Sequence, residues 1–116
     1  MPNPLCHFEI MTSDVENAKA FYGKVFDWSF DDQSMPGYTL VNTGAEPTGA
    51  IFQRPATAPM SCFNSYFQVP DIDAVIELVK ENGGSVLVEK TPIPNVGHLA
   101  IFKDPDDIPV GIMQPA

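Results

Sequence analysis

Hydrophobic and polar positions alternate along the first predicted strand, Leu5 to Met11. Phe8 and Ile10 fall on one face of this strand, and His7 and Glu9 fall on the other, because successive side chains of a strand point in opposite directions. The apolar face predicts contact with a neighbouring element. The opposite face carries an imidazole and a carboxylate, which makes His7 and Glu9 the first candidates for a functional site.

The pattern then changes to the spacing of an amphipathic helix. Ser13, followed three residues later by Glu16, forms a capping box, so we expect the helix to begin at Asp14 and to end near Phe26. Its apolar positions recur at helical spacing. They are Val15, Ala18, Tyr22 and Val25, with Phe21 beside them. This stripe predicts a helix that covers the apolar face of the first strand.

A second copy of the strand-then-helix pattern begins at Phe63. Internal repetition indicates the architecture of a chain more directly than single elements do. Aligning the starts of the two helices gives three equivalent pairs: Asp14 with Asp71, His7 with Asn64, and Glu9 with Tyr66. The sequence therefore predicts two halves of similar build.

Turn residues divide the remainder of the chain into short strands. The further predicted strands cover residues 28–30, 38–43, 50–54, 63–69, 85–89, 98–103 and 108–114, and Gly83 and Gly84 close the second helix. Each half then reads strand, helix and three strands. We predict a single domain over residues 1–116, with a first module at about 1–54, a linker at about 55–60 and a second module at about 61–116.

Charge and cysteine content narrow the possible partners. The 116-residue chain carries six Lys and Arg against 15 Asp and Glu, a net charge of −9. This acidic balance argues against nucleic acid and anionic membranes as partners, since both require a basic surface, and it is compatible with a cationic ligand. Two cysteines form no disulfide framework, and no signal peptide or membrane-spanning stretch is recognisable. We therefore expect a cytoplasmic location.

Several motifs resemble those of a known superfamily. They are H-F-E-I at residues 7–10, D-V-E-N-A-K-A-F-Y at 14–22, V-F-D-W at 25–28, P-I-P-N-V-G-H at 92–98 and D-P-D-D at 104–107. The chain resembles the vicinal oxygen chelate superfamily, which includes glyoxalase I, extradiol dioxygenases and bleomycin resistance proteins. The resemblance implies an α+β fold of two βαβββ modules, with curled mixed sheets around a central cavity. It also implies a homodimer.

Metal-binding members of that superfamily hold a divalent ion at four positions. By the resemblance, His7 matches the first position, Asn64 stands where a second His is expected, and Ala50 and Gly111 stand where carboxylates are usual. A shift of the alignment would bring Phe52 or Gln53 to the first carboxylate position, and neither supplies a carboxylate. Because a divalent ion needs three or more converging N or O donors, we expect no metal and no other cofactor.

Eight residues are candidates for contact with a ligand. They are His7, Glu9, Tyr38, Phe52, Asn64, Tyr66, His98 and Met113. His7 and Glu9 are either an acid–base pair facing a substrate or a satisfied polar pair. The aromatic residues and Met113 line a ligand or belong to the core, and His98 points inward or lies on the rim.

Three classes of function follow from these observations. The first is a glyoxalase-like or bleomycin-resistance-like protein that binds a small molecule without a metal. The second is a lyase or isomerase that uses His7 and Glu9, with or without a divalent ion. The third is an interaction domain with a vestigial cavity. Whether the protein is an enzyme stays open at this point, because a fold alone does not specify a reaction or a ligand.

Overall fold

Two helices and eight strands follow one another in a computed structural model that describes residues 2–57 and 60–116. The elements are β1 (Leu5–Thr12), α1 (Val15–Phe26), β2 (Ser29–Asp31), β3 (Tyr38–Asn42), β4 (Thr48–Gln53), β5 (Cys62–Gln68), α2 (Ile72–Glu81), β6 (Ser85–Ile93), β7 (Gly97–Lys103) and β8 (Pro109–Pro115). The order of strand, helix and three strands therefore occurs twice, as the repeat predicts.

The described residues belong to two compact units. The N-terminal unit comprises residues 6–64, and the C-terminal unit comprises residues 2–5 together with 65–116. The predicted linker at 55–60 includes Ala58 and Pro59, which lie outside the described residues. The module boundaries predicted from the sequence therefore stay predictions.

In the N-terminal unit, the strands lie in the order β2-β3-β4-β1, with β1 and β4 parallel and the other pairs antiparallel. Helix α1 covers one face of this sheet. Phe8 and Ile10 of β1 form a buried core with Ala18 of α1 and with Val41 and Ile51 of the neighbouring strands. The predicted contact between the apolar face of the first strand and the helical stripe is confirmed.

The start of α1 differs from the prediction by one residue. The N-cap is Asp14, whose side chain accepts a hydrogen bond from the Asn17 backbone N–H at 3.0 Å. Ser13 and Asp14 are both good capping residues, and the carboxylate also interacts favourably with the positive end of the helix dipole. Glu16, expected to complete a capping box, instead forms an ion pair with Lys19 at 3.4 Å.

In the C-terminal unit, the strands lie in the order β5-β8-β7-β6, with β5 and β8 parallel. Helix α2 begins after Asp71, whose carboxylate accepts hydrogen bonds from two backbone N–H groups of the first turn. The core of the C-terminal unit consists of Val69, Ile72, Ile76, Ala100 and Ile112. Each unit is thus a mixed sheet with one helix packed on one face, and the α+β prediction is confirmed.

Strand β6 extends to Ile93 and is four residues longer than predicted. The sequence predicts a strand that ends at Glu89 and a connection over residues 92–97, which contain two prolines. Proline is tolerated in an edge strand, where its missing N–H faces away from the sheet, and β6 lies at the edge of its sheet. Two irregularities in its pairing with β7, between Val86 and Val88 and between Val88 and Thr91, further weaken the alternation that sequence reasoning uses.

No helix among residues 2–57 and 60–116 has the length and hydrophobicity needed to span a lipid bilayer.

Candidate functional site

A hydrogen-bonded cluster of three side chains lies in the N-terminal unit. The Tyr38 hydroxyl donates to Glu9 Oε2 at 2.6 Å and lies 2.9 Å from His7 Nε2. The same His7 and Glu9 atoms are 4.0 Å apart. Because the hydroxyl gives its one proton to Glu9, its hydrogen bond with His7 requires a proton on Nε2. We call these residues the His7–Tyr38–Glu9 cluster.

Strand register brings the cluster together on the sheet face that points away from α1. His7 and Glu9 alternate with Phe8 and Ile10, which pack towards the helix. Tyr38 lies on β3 opposite Phe52 of β4, and their rings stack with centroids 5.8 Å apart. The predicted opposite placement of polar and apolar faces on β1 is confirmed.

Partial burial determines the electrostatics of the cluster. The His7 side chain is 18% exposed and the Glu9 side chain 13%. Burial lowers the pKa of the His7 imidazole from its ordinary value of 6.5, while the Glu9 charge and a hydrogen bond to the Thr48 backbone act in the opposite direction. The imidazole therefore stays neutral to a lower pH than an exposed histidine would.

A groove of about 430 Å³ opens beside His7 in the same unit. It is lined by His7, Ser29, Phe30, Asp31, Leu40, Val41, Asn42, Thr48 and Gly49. Polar side chains on all four strands of the sheet reach this lining, and no Lys or Arg occurs among the described residues that form it. The groove therefore combines several hydrogen-bonding groups with an acidic or neutral wall.

Of the nine residues that line the groove, His7 was a predicted candidate and the other eight were not; Asp31 is the charged residue among those eight. The stretch that begins at Asp31 is polar and contains Pro36 and Gly37, which is a pattern typical of a turn. Asp31 instead ends β2. Its carboxylate accepts hydrogen bonds from the Ser34 hydroxyl and from the backbone N–H groups of Gln33 and Ser34, which lower the pKa of Asp31 from 3.8. A carboxylate at the end of a strand before a turn was the available signal.

The other candidates are distributed between the two units. In the N-terminal unit, Asn64 Oδ1 lies 3.8 Å from Cys62 Sγ, and Asn64 is not among the described residues that line the groove. In the C-terminal unit, Tyr66 is buried beside Gly111. Met113 shares the face of Tyr66 on the parallel strand.

His98 lies on the opposite face of the C-terminal sheet from Tyr66 and Met113. It lies two residues before Ala100 on β7, so it shares the face of this core residue, which packs against α2. It is also in register with Gln114, whose Oε1 accepts a hydrogen bond from the Ile72 backbone N–H at the start of α2. His98 is therefore on the helix-covered side of its own sheet.

The residues present do not fit the ligand set that the resemblance implies. Ala50 is fully buried and has no donor atom, and it is in register with Glu9. A Cβ at Gly111 would lie 2.4 Å from Cδ2 of Tyr66, so the tyrosine ring fills the space that a carboxylate side chain would need. Among residues 2–57 and 60–116, no group of three or more His, Cys, Asp and Glu side chains could hold a metal ion.

The family model and the similar sequences that match this chain all indicate the same family. The model of the Glyoxalase/Bleomycin resistance protein/Dioxygenase superfamily matches residues 5–112. A Mycobacterium bovis protein named "Putative glyoxylase CFP32" is 33% identical over 113 residues, which cover 91% of this chain and 43% of that protein. The chain thus spans less than half the length of this relative. A Didymella fabae protein named "Glyoxylase-like domain-containing protein" is 30% identical over 83% of this chain and 81% of that protein.

Solved structures show the same fold at low sequence identity. Methylmalonyl-CoA epimerase from Mycobacterium tuberculosis superposes with a TM-score of 0.71 at 14% identity, covering 97% of this chain and 88% of that one. A hypothetical protein from Bacillus halodurans gives a TM-score of 0.73 at 16% identity, covering 100% and 96%. At these identities the similarity concerns the fold alone.

Proposed function

Because the chain belongs to the glyoxalase/bleomycin resistance protein/dioxygenase superfamily, we propose that it is a small-molecule binding protein that works without a divalent ion. Its site is the groove beside the His7–Tyr38–Glu9 cluster. The observation that carries this proposal is the Tyr38 hydroxyl, which joins His7 and Glu9 at hydrogen-bond distances. A protein hydroxyl thus bridges the imidazole and the carboxylate of the site.

The lining of the groove favours a neutral or cationic ligand. Asp31 and His7 line the groove. The Glu9 carboxylate is connected to His7 through the Tyr38 hydroxyl, which is hydrogen-bonded to both side chains. No Lys or Arg is present among the described lining residues to balance these carboxylates. An anionic ligand would lose its hydration without gaining an opposite charge, which is unfavourable in a partly buried site.

The same argument separates this chain from the epimerases that share its fold. One such structure is described as methylmalonyl-CoA epimerase in complex with methylmalonyl-CoA and NH4+. Coenzyme A carries several phosphate charges, which proteins usually bind with Arg, Lys or helix N-termini. The described lining of the groove contains no basic side chain, so we expect coenzyme A thioesters to bind poorly here.

The test is a titration of the isotopically labelled protein with three probes of similar shape, benzylamine, benzyl alcohol and benzoate, followed by NMR. We expect benzylamine and benzyl alcohol to shift the amide signals of Asn42 and Thr48, and benzoate to leave them unchanged. Glu9→Gln should weaken benzylamine binding more than benzyl alcohol binding, because the amide oxygen still accepts the Tyr38 proton but carries no charge.

Glu16→Gln is the matched control, since that carboxylate is 82% exposed on α1, which covers the other face of the sheet. This variant should bind all three probes as the wild type does. Benzoate binding as strong as benzylamine binding would contradict the proposed ligand class. Probe shifts confined to residues away from the groove would contradict the proposed site.

A second candidate function, a lyase or isomerase, is favoured by one feature of the cluster. An imidazole, a phenol and a carboxylate in one line of hydrogen bonds are able to move a proton to or from a bound substrate. Hydroxyacetone, a neutral ketone with acidic C–H groups, is a suitable probe. Exchange of these hydrogens with deuterated water faster than in buffer, and lost in His7→Gln, would favour the enzyme over the binding protein.

A further inference from the structure

Helix α2 ends at an asparagine followed by a glycine, Asn82 and Gly83, and both residues are exposed. Of the asparagines in the chain, Asn82 alone precedes a glycine. The backbone nitrogen of the residue after an asparagine is able to attack the carbonyl carbon of the asparagine side chain and close a succinimide ring. Glycine has no side chain to obstruct that approach. The end of α2 is therefore a candidate for a covalent change that requires no other protein.

The Gly83 nitrogen is available for this attack. Its N–H makes no hydrogen bond among residues 2–57 and 60–116, whereas the N–H groups of Asn82 and Gly84 donate to the Val79 carbonyl at 3.2 and 2.9 Å. Gly83 has a φ of 92°, a left-handed conformation that glycine adopts without steric cost. The attacking nitrogen therefore does not have to break a hydrogen bond before it reacts.

The side chain of Asn82 is held only by contacts of the last helical turn. Its Nδ2 donates to the Leu78 carbonyl at 2.8 Å, and its backbone N–H donates to the same carbonyl at 3.1 Å. Terminal turns of helices open at little cost in free energy. Opening frees both the amide group and the ψ angle of Asn82, which is 22° in the capped helix. Rotation within residue 82 then brings Cγ to the Gly83 nitrogen.

Asn95 provides an internal comparison. It is also exposed, and it has a φ of 65°. The residue after it is Val96, whose N–H donates to the Ile93 carbonyl at 3.0 Å. The branched side chain of valine also crowds its own backbone nitrogen. Because the two asparagines share exposure, they should differ in reactivity through the residue that follows each of them.

We propose that Asn82 is a site of spontaneous deamidation. The Gly83 nitrogen forms a bond to Cγ of Asn82, the Cγ–Nδ2 bond breaks, and the Nδ2 group leaves as ammonia with the proton that Gly83 loses. Water then adds to either carbonyl of the succinimide ring and opens it, so that residue 82 becomes aspartate or isoaspartate. Water is the co-reactant, and hydroxide accelerates the attack by removing the Gly83 proton. The reaction does not depend on the proposed function of the groove.

Deamidation should weaken the end of α2. The amide donates to the Leu78 carbonyl, whereas the product carboxylate has no proton to donate. The new charge lies at the negative end of the helix dipole, beside Glu81 in a chain of net charge −9. Isoaspartate also lengthens the backbone just before Gly84, where an added Cβ would lie 2.7 Å from the Lys103 carbonyl oxygen. The modification therefore lowers the stability of the C-terminal unit as the protein ages at alkaline pH.

Peptide mass spectrometry of the folded protein, incubated in mildly alkaline buffer, tests the proposal. Trypsin cleaves after lysine and releases Asn82 in the peptide 81–90 and Asn95 in the peptide 91–103. Peptide 81–90 should gain the mass difference between a carboxyl and an amide group and separate into aspartate and isoaspartate forms, while peptide 91–103 stays unchanged. Asn82→Gln should lose the modification, because its longer side chain would have to close a larger ring.

Two further variants test the consequence for stability. Asn82→Asp reproduces one product, and Asn95→Asp adds the same charge away from a helix end, so the urea midpoint of unfolding should be lower in the first variant. A midpoint as high in Asn82→Asp as in Asn95→Asp would contradict the expected loss of stability.

Three results would overturn the proposed site. The first is a peptide 81–90 that is modified in guanidinium chloride and unmodified in the folded protein, since the fold would then protect Asn82. The second is a peptide 81–90 that is unmodified under both conditions. The third is equal modification of the two peptides in the folded protein, because reactivity would then not depend on Gly83.

Discussion

At the scale of single residues, the central feature is the Tyr38 hydroxyl. Alternation along β1 places His7 and Glu9 side by side on one face, but it does not say what lies between them. The hydroxyl comes from a residue 31 positions after His7, and it forms the shortest hydrogen bond of the cluster. A charged acceptor strengthens such a bond, so Tyr38 holds the site in one geometry.

Replacing Tyr38 should therefore cost stability. A hydrogen bond to a charged group contributes about 1.5–3 kcal/mol to stability. Tyr38→Phe removes the hydrogen bond to Glu9, in a cluster where the His7 and Glu9 side chains are less than a fifth exposed. We expect the free energy of unfolding, measured by urea denaturation, to fall by roughly 1–3 kcal/mol. Tyr22→Phe is the control, because Tyr22 packs by its ring on Trp28. Equal losses in the two variants would show that the hydroxyl bridge contributes nothing.

At the scale of elements, close packing between parallel strands shapes both units. Phe8 of β1 lies over Gly49 of β4, and a Cβ at position 49 would come within 2.4 Å of Cζ of the ring. Tyr66 of β5 covers Gly111 of β8 at the same distance, on the face away from α2. In each unit, a glycine on the last strand allows an aromatic ring of the first strand to lie flat on the sheet.

Gly49→Ala should accordingly destabilise the protein through its contact with Phe8. Overpacking of a core typically costs about 1–3 kcal/mol. Phe8→Leu alone should also destabilise, because it leaves a cavity. In the double variant, the smaller side chain at position 8 leaves room for the added methyl group. The loss of unfolding free energy in the double variant should therefore be smaller than the sum of the losses in the two single variants. Urea denaturation of the four proteins measures this coupling energy, and strict additivity would contradict the described contact.

At the scale of the whole molecule, the fold agrees with that of the family, whereas the residues at the implied carboxylate positions differ from those that the resemblance leads us to expect. The family match covers residues 5–112, and the fold agrees with it. The positions where the resemblance implies carboxylates hold Ala50 and Gly111, and the second of these is covered by the Tyr66 ring. The chain therefore has the fold of the family, whereas two of the four positions at which the resemblance implies metal ligands hold residues without a donor side chain.

We expect the protein, purified without chelator, to contain far less than one divalent ion per chain. The reason is the small number of converging donors, since three or more are needed for a stable site. Elemental analysis by mass spectrometry, before and after incubation with Zn²⁺ and desalting, measures the content. About one ion per chain in the wild type, and none in His7→Ala, would show that the site binds metal after all.

Much of the fold could be predicted from the sequence because its signals are local. Alternation along β1, the helical spacing of the residues around Ala18 and the cap at Asp71 each depend on a few neighbouring residues. Repetition of that pattern then indicated two βαβββ modules. The errors occurred where a local signal was ambiguous, as with two adjacent capping residues at the start of α1 and with Pro92 in an edge strand.

The site could be predicted only in part, because its geometry depends on the register between strands that are distant in sequence. His7 and Glu9 were identifiable from one strand, whereas the position of the Tyr38 hydroxyl depends on how β3 pairs with β4 and β4 with β1. The Tyr66 ring over Gly111 likewise follows from the pairing of β5 with β8. The sequence by itself determined which residues share a face of each element. The tertiary structure alone decided which side chains meet, because hydrogen bonds and packing act over a few ångströms in space, whatever the separation along the chain.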